Sequence, residues 1–213
     1  EVEVEIKPGY TEKYWQLPNG DKHGLYQSWD ENGQLLEQCT YLNGNLEGLY
    51  QSWFKTGHLY QQCTYVDGKE EGLYQEWYDN GSDREEDAQL FRQYTYVNGK
   101  LEGLYQSWYE NGSAGEDDAQ LSQQCNYVNG NRHGLYQKWH TNRKLIEQVS
   151  YINGKREGLY QSWYDDAQLS VRCTYVRGKE HGLYQSWYAN GRLSEEVTYI
   201  DGNRHGLYKS YYP

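Results

Sequence analysis

The side chains of this 213-residue chain that could ligate, attack or titrate are four cysteines, six histidines and several short acidic runs. Cys39, Cys63, Cys125 and Cys173 hold one position of a recurring unit, and other copies of that unit place Tyr94, Val149 and Val197 there. A site shared by Cys, Val and Tyr is a packing site. On neighbouring hairpins of a sheet with strands ~4.8 Å apart, Cys39 and Cys63 stand roughly 10 Å apart, beyond the ~7 Å Cα reach of a disulfide. Free thiols point to an intracellular, reducing compartment. His23, His133, His181 and His205 directly precede a recurring Gly, where the remaining copies have Glu47, Glu71, Glu102 and Glu157. Ligands one repeat apart cannot share an ion, so no metal is expected. The acids Asp83, Glu85, Glu86, Asp87 and Glu116, Asp117, Asp118 fall in loops, as do Asp165 and Asp166, without the burial that poises a general acid or base. There is no Cys-x-x-Cys, no His-Glu-x-x-His and no phosphate-cradling glycine loop. The expectation is a protein with no cofactor and no catalytic residue, hence no enzyme.

The elements that carry these residues repeat. Gly-Leu-Tyr begins at Gly24, Gly48, Gly72, Gly103, Gly134, Gly158, Gly182 and Gly206, with spacings of 24 residues except two of 31. The longer spacings hold the insertions Ser82 to Ala88 and Ser113 to Ala119. Each unit has two short runs and two turn signals: Asn32-Gly33 or its equivalent, then Asn43-Gly44 or its equivalent. Asn-Gly and Asp-Gly between such runs mark type I′ hairpins, because both central residues need positive φ. The fold class is therefore all-β: an elongated, curved, single-layer antiparallel meander of hairpin repeats, stabilised by nearest neighbours as in solenoids. Residues 1–23 read as a lead-in with a capping strand, 24–205 as seven repeats, and 206–213 as a partial repeat closing the array. Within the lead-in, Glu1, Glu3 and Glu5 alternate with Val2, Val4 and Ile6 until Pro8-Gly9.

With two-residue turns throughout, Tyr26 faces Cys39 and Ser28 faces Glu37. One sheet face then carries Tyr26, Leu35, Cys39 and Tyr41, with Tyr78, Tyr109, Tyr164 and Tyr188 on the same side. The other carries Leu25, Gln27, Trp29, Leu36, Thr40 and Leu42. The recurring Gly lies across from a ring position, where a neighbouring ring could cover bare backbone. Leu, Ile, Val and Phe together number only 35, and the net charge is −11, a balance usually found in disordered chains. The 25 Tyr and 8 Trp supply the missing apolar mass. No run reaches the ~20 apolar residues of a membrane span, nothing marks a peripheral membrane contact, and the acidic balance repels nucleic acid. The chain does not begin with Met, so targeting signals before Glu1 are not legible.

The unit GLYQSWYENGQL followed by YVNGK closely resembles the MORN repeat variant, from about Gly20 to Tyr212. That family includes antitoxin-like bacterial proteins and many repeat proteins of giant DNA viruses of amoebae. The resemblance implies a non-enzymatic scaffold or docking surface, with a virion component and an antitoxin-like neutraliser as the two roles it offers. The departures are the acidic insertions and the loss of a turn Gly at Arg143 and Ala167. The partner-binding candidates are Trp29, Trp53, Trp77, Trp108, Trp139, Trp163 and Trp187 with Tyr78, Tyr109, Tyr164 and Tyr188, since such rings dominate interface hot spots. The partner is a protein or a second copy of the chain, chosen partly by the acidic insertions; a sugar stacked on the rings is the alternative.

Overall fold

The computed structural model describes residues 2–7 (backbone only), 9–79, 88–110 and 119–213. The seven insertion acids Asp83, Glu85, Glu86, Asp87, Glu116, Asp117 and Asp118 lie outside the described residues. No helix occurs among the described residues, and every strand pairing is antiparallel between neighbours in the chain. The chain divides into two compact units, Glu1–Glu102 with Glu110–Ala119, and Gly103–Tyr109 with Gln120–Pro213.

The first unit is a meander of β1 (Val2–Lys7), β2 (Tyr10–Gln16), β3 (Lys22–Trp29), β4 (Leu35–Leu42), β5 (Asn45–Leu46), β6 (Gly48–Trp53), β7 (Leu59–Val66), β8 (Lys69–Trp77) and β9 (Leu90–Val97). Both β5 and β6 pair with β4, so they are one strand interrupted at Glu47. The second unit begins with the Gly103–Trp108 part of β10 (Lys100–Trp108) and continues through β11 (Leu121–Val128), β12 (Asn131–Trp139), β13 (Leu145–Ile152), β14 (Lys155–Trp163), β15 (Leu169–Val176), β16 (Lys179–Glu180), β17 (Gly182–Trp187), β18 (Leu193–Ile200) and β19 (Asn203–Ser210).

The two turns of a repeat differ. The second is the expected type I′: Asn43 and Gly44 have φ of 49° and 83°, Asn153 and Gly154 of 49° and 77°. The first is not. Only its last residue is left-handed, as at Gly33 (φ 79°), and the Gly33 N–H donates to the Asp30 carbonyl at 3.0 Å, closing a longer, type I-like turn. Arg143 (φ 67°) and Ala167 (φ 73°) adopt the same left-handed state without glycine. The longer turn costs no register, because an extra residue in the following strand compensates: Ser28 faces Glu37 while Trp29 faces Leu35. This bulge corrects the faces assigned to both residues before Glu37: Leu35 stands opposite Trp29 on the open face instead of among the tyrosines, and position 36 moves the other way. Its equivalents Ser122, Ser170 and Ser194 meet Ser107, Ser162 and Ser186 at 2.7–2.9 Å, on the tyrosine side of the sheet.

A second irregularity occurs where one repeat joins the next. Ser150 pairs with Glu157 but Gln148 with Gln161, so Gly158, Leu159 and Tyr160 together face Val149 alone. The slip is two residues, which keeps every side chain on its own face. Its enabling residue is the recurring Gly, left-handed at φ 80° in Gly158 and 79° in Gly72. At Gly24 the Trp15 ring does stand 3.5 Å from where a Cβ would be, but at the other seven copies a Cβ would meet nothing within 4 Å, so backbone conformation is what demands glycine there.

Burial is one-sided. Tyr26, Cys39, Cys63, Tyr74, Tyr94, Cys125, Tyr136, Val149, Tyr151, Cys173, Tyr175 and Val197 form the core, all on the tyrosine face. Rings of successive strands meet edge-on, as in Tyr26–Tyr41 at 5.8 Å and Tyr160–Tyr175 at 5.9 Å. Lys22, Arg132 and Arg156 lie over these rings at 4.1–5.5 Å.

Candidate docking face

The opposite face is uncovered, and its side chains run in rows across the strands. The leucine of each Gly-Leu-Tyr stands there: Leu25, Leu49, Leu73, Leu104, Leu135, Leu159 and Leu183 are 44–53% exposed, and Leu207 more so. Their exposure has a local cause. From Leu25 to Leu183 each has a Thr, Ser or Asn directly across the strand pair, as Thr40 opposite Leu25, Asn126 opposite Leu104 and Ser150 opposite Leu135, and a glycine beside it, too little to cover it; Leu207 is on the last strand. Beside the type I′ turns a second exposed aliphatic row runs through Leu42, Val66, Val97, Val128, Ile152, Val176 and Ile200.

Next to the leucines runs a ladder of glutamines that residue-type reasoning did not single out. Gln27 donates to Gln38 at 2.8 Å, Gln62 to Gln75 at 3.2 Å, Gln124 to Gln137 at 3.1 Å and Gln148 to Gln161 at 3.3 Å. The same column ends in charge: Gln185 donates to Glu196, which also receives Lys209 at 2.8 Å. The Lys209 ammonium holds the Glu196 carboxyl below its usual range. These amide bonds tie each strand to the next, and the aliphatic rows are the apolar part of the face. The signal was available, because Gln recurs two residues after seven of the eight leucines, Lys209 following the last, and two residues is the spacing of one strand face.

The tryptophans are brought to this face as well, but half-buried. Trp29, Trp53, Trp77, Trp108, Trp139, Trp163 and Trp187 all have intermediate exposure. Each lies directly across from a leucine, as Trp29 from Leu35 and Trp163 from Leu169. Tyr78, Tyr109, Tyr164 and Tyr188 follow the strand in the first turn. Tyr109 donates to the Trp139 carbonyl at 2.7 Å, Tyr164 to Trp187 at 2.7 Å and Tyr188 to Tyr211 at 2.8 Å, so these three hydroxyls stitch one repeat to the next. Tyr78 packs on Phe91 at 4.9 Å.

At four copies the His-or-Glu position caps the next type I′ turn, whereas His181 stands 3.6 Å from the Asp201 carboxylate. Glu47 accepts the N–H of Asp67, Glu71 that of Asn98 and Glu157 that of Arg177, at 2.7–2.9 Å, and His23 accepts that of Asn43 through Nδ1 at 3.4 Å. In each case the donor is the first left-handed residue of the type I′ turn. An imidazole nitrogen and a carboxylate oxygen are interchangeable as acceptors, which explains the substitution pattern. The position lies across from the Thr row, on the open face, as Thr64 opposite Glu71 and Thr198 opposite His205.

No cluster of three or more His, Cys, Asp or Glu could hold a metal ion among the described residues, and no helix among them is long and apolar enough to cross a membrane. The cysteines are free and buried, and burial pushes the Cys39 thiol up to about 12 and the Cys173 thiol to about 11. The densest titratable cluster is on the buried face. There Tyr26 donates to Glu12 at 2.9 Å, Lys22 pairs with Glu12 at 3.2 Å, and burial raises the Glu37 carboxyl. These groups sit among packed rings, where they serve one another. On the open face a shallow cleft of about 330 Å³ is lined by Lys13, Tyr14, Trp15, Leu25, Gln27 and Trp29.

Residues 22–43, 46–67 and 180–201 match the MORN repeat variant. None of the curated proteins matches the chain.

Proposed function

The chain belongs to the MORN-repeat proteins, and from that premise we propose that its open face is a non-catalytic docking surface for another protein. Repeats of this kind commonly mediate interactions with proteins or membranes. The observation that carries the reading is the leucine row: the same exposed side chain, on the same face, in every repeat. A soluble domain seldom leaves so regular an apolar strip uncovered. Because the core lies wholly on the other face, the strip contributes little to folding and is free to bind. The half-buried tryptophans, each set against a leucine, act as a firm border and not as flat stacking platforms, which disfavours a sugar ligand. The virion and antitoxin roles rest on the family resemblance, and no residue described above selects between them.

The test is site-specific photo-crosslinking. A photoreactive side chain at Leu104 or Leu159 should trap a protein from the native source, whereas one at Tyr164 should not. Equal trapping at all three positions, or at none, would remove the open face from consideration.

A further inference from the structure

On the tyrosine side one pair of facing positions is Ser28 and Glu37 in the first repeat, Ser52 and Gln61 in the next, and Ser186 and Glu195 in the last. Strands β11 and β12 depart from this at both positions. Gln123 stands where Glu37, Glu147 and Glu195 stand in other copies, and the exposed Lys138 across from it replaces the serine found as Ser28, Ser52, Ser107, Ser162 and Ser186. Both changes make this stretch more positive. Arg132 belongs to the same cluster: it lies over the Tyr136 and Tyr151 rings at 4.8 and 5.5 Å and donates to the Tyr127 and Tyr151 hydroxyls at 3.4 and 3.5 Å. Its counterparts Arg156 and Arg204 keep a tyrosine hydroxyl contact of this kind and also hold a carboxylate, Glu147 at 3.2 Å and Glu195 at 3.5 Å. For Arg132 the residue at that place is Gln123, and no carboxylate pairs with Arg132 among the described residues. None pairs with Lys138 among them either, since Glu147, across the strand pair from it, is held by Arg156.

We infer that this cluster binds the carboxylate of a ligand, seated on the Arg132 guanidinium as Glu147 is seated on that of Arg156. The site lies on the tyrosine side of the second unit, so it is independent of the docking face. Its groups are donors. The Gln123 carbonyl accepts the Tyr136 hydroxyl at 3.3 Å, which leaves the amide N–H groups to donate, and guanidinium and ammonium have no acceptor at all. Two cations and an amide set around one buried tyrosine call for an anion. The chain itself shows which anion fits, because the same arginine position takes a carboxylate in two other repeats. A guanidinium matches a carboxylate with its planar fork, and the flanking rings hold that plane in place before any ligand arrives. A free organic acid and an acidic side chain of a protein carry the same group, and the experiment separates them.

The experiment is a titration of the full chain at constant ionic strength, with succinate and with an end-capped peptide holding one glutamate, followed by the arginine Nε–Hε NMR signals. The Arg132 signal is identified by its loss in Arg132→Leu, a change with precedent at Leu46 and Leu101. That signal should shift saturably, while the Arg156 signal, whose guanidinium already holds Glu147, should not move. Lys138→Ser installs the residue of most other repeats and should weaken binding about fivefold, the worth of one partly exposed charge pair. Gln123→Glu installs the residue found at Glu147 and Glu195, so the chain then supplies its own carboxylate and the response should vanish. Each of these variants keeps a residue that the same position carries elsewhere in the array, so the fold is retained. Saturation by either probe supports the site: tighter binding of the peptide assigns the carboxylate to a protein side chain, and tighter binding of succinate to a free acid. No saturable shift with either probe, an equal shift with inorganic phosphate, or an unaltered response in Gln123→Glu overturns the assignment.

Discussion

Gly158 allows the cause of the repeat's glycine to be isolated. It sits mid-strand in β14, paired with Tyr175 on one side and inside the two-residue slip on the other, at φ +80°. Nothing lies within 4 Å of where a Cβ would stand, so Gly158→Ala adds no clash and its cost is conformational alone. Holding an L-residue left-handed costs about 1–2 kcal/mol. For a chain of this size each kcal/mol lowers the melting temperature by about 2–4 °C, so the expected fall is about 2–8 °C. Gly158→Asn should cost less, because Asn tolerates this region and already occupies it at Asn153. Gly158→Val should cost most, since a β-branched residue is least able to adopt it, although Val otherwise favours strands. Thermal scans followed by near-ultraviolet circular dichroism give the order. If Val equals or exceeds Gly in stability, the strand is extended at this point and the slip argument fails; if Asn is as damaging as Val, crowding is the cause and the open space is illusory.

Two further outcomes follow from the buried face. Glu76 is 2% exposed and held by Arg92 through two contacts of 2.6 Å and by the Tyr74 hydroxyl. Arg92→Ala strands a buried carboxylate and should cost about 3–5 kcal/mol. Glu76→Ser with Arg92→Gln installs the pair that Ser52 and Gln61 form one repeat earlier and should recover most of the loss in urea titrations; a single Arg92→Ala variant of unchanged stability would contradict this account. The core also predicts alkaline sensitivity. Burial raises Cys39, Tyr41 and Tyr136 to about 12, above the ~8.5 and ~10 of the unfolded chain, so the folded state keeps protons that the unfolded state releases. Stability is then fully present below about pH 8.5 and falls as pH rises toward 12. Melting temperature against pH, with tyrosinate absorbance as a second readout, checks it: a flat profile to pH 12 would refute it.

Much of the fold was legible because a repeat states each rule several times. Asn-Gly and Asp-Gly fixed the type I′ turns, and the pairs Tyr26–Cys39 and Ser28–Glu37 came out as the turn spacing required. The first turn was misread as a second type I′, since Asn32-Gly33 has the same letters with only Gly33 left-handed. The register survived because a bulge after the turn absorbs the added length, and that bulge is what moves position 36 to the tyrosine side. Dipeptide signals carry the sign of φ poorly when the turn is longer than two residues. Nor does sequence separate a glycine kept for space from one kept for φ; only the empty surroundings of Gly158 do that.

The make-up of the open face was legible in the sequence, but not which of its rows is exposed. Trp29 and Leu25 were correctly placed together, but residue type alone favoured the tryptophans as the binding elements. Exposure is set by what stands across the strand pair. Leu35 opposite Trp29 covers part of a large ring, while Thr40 opposite Leu25 is too short to cover an isobutyl group. The aliphatic strip thus arises from pairing each leucine with a small polar residue, and that pairing is repeated along both units. A chain that needed leucine only for packing would have matched it with a larger neighbour, as it does for tryptophan. The consistent mismatch is what leaves the strip uncovered in both units.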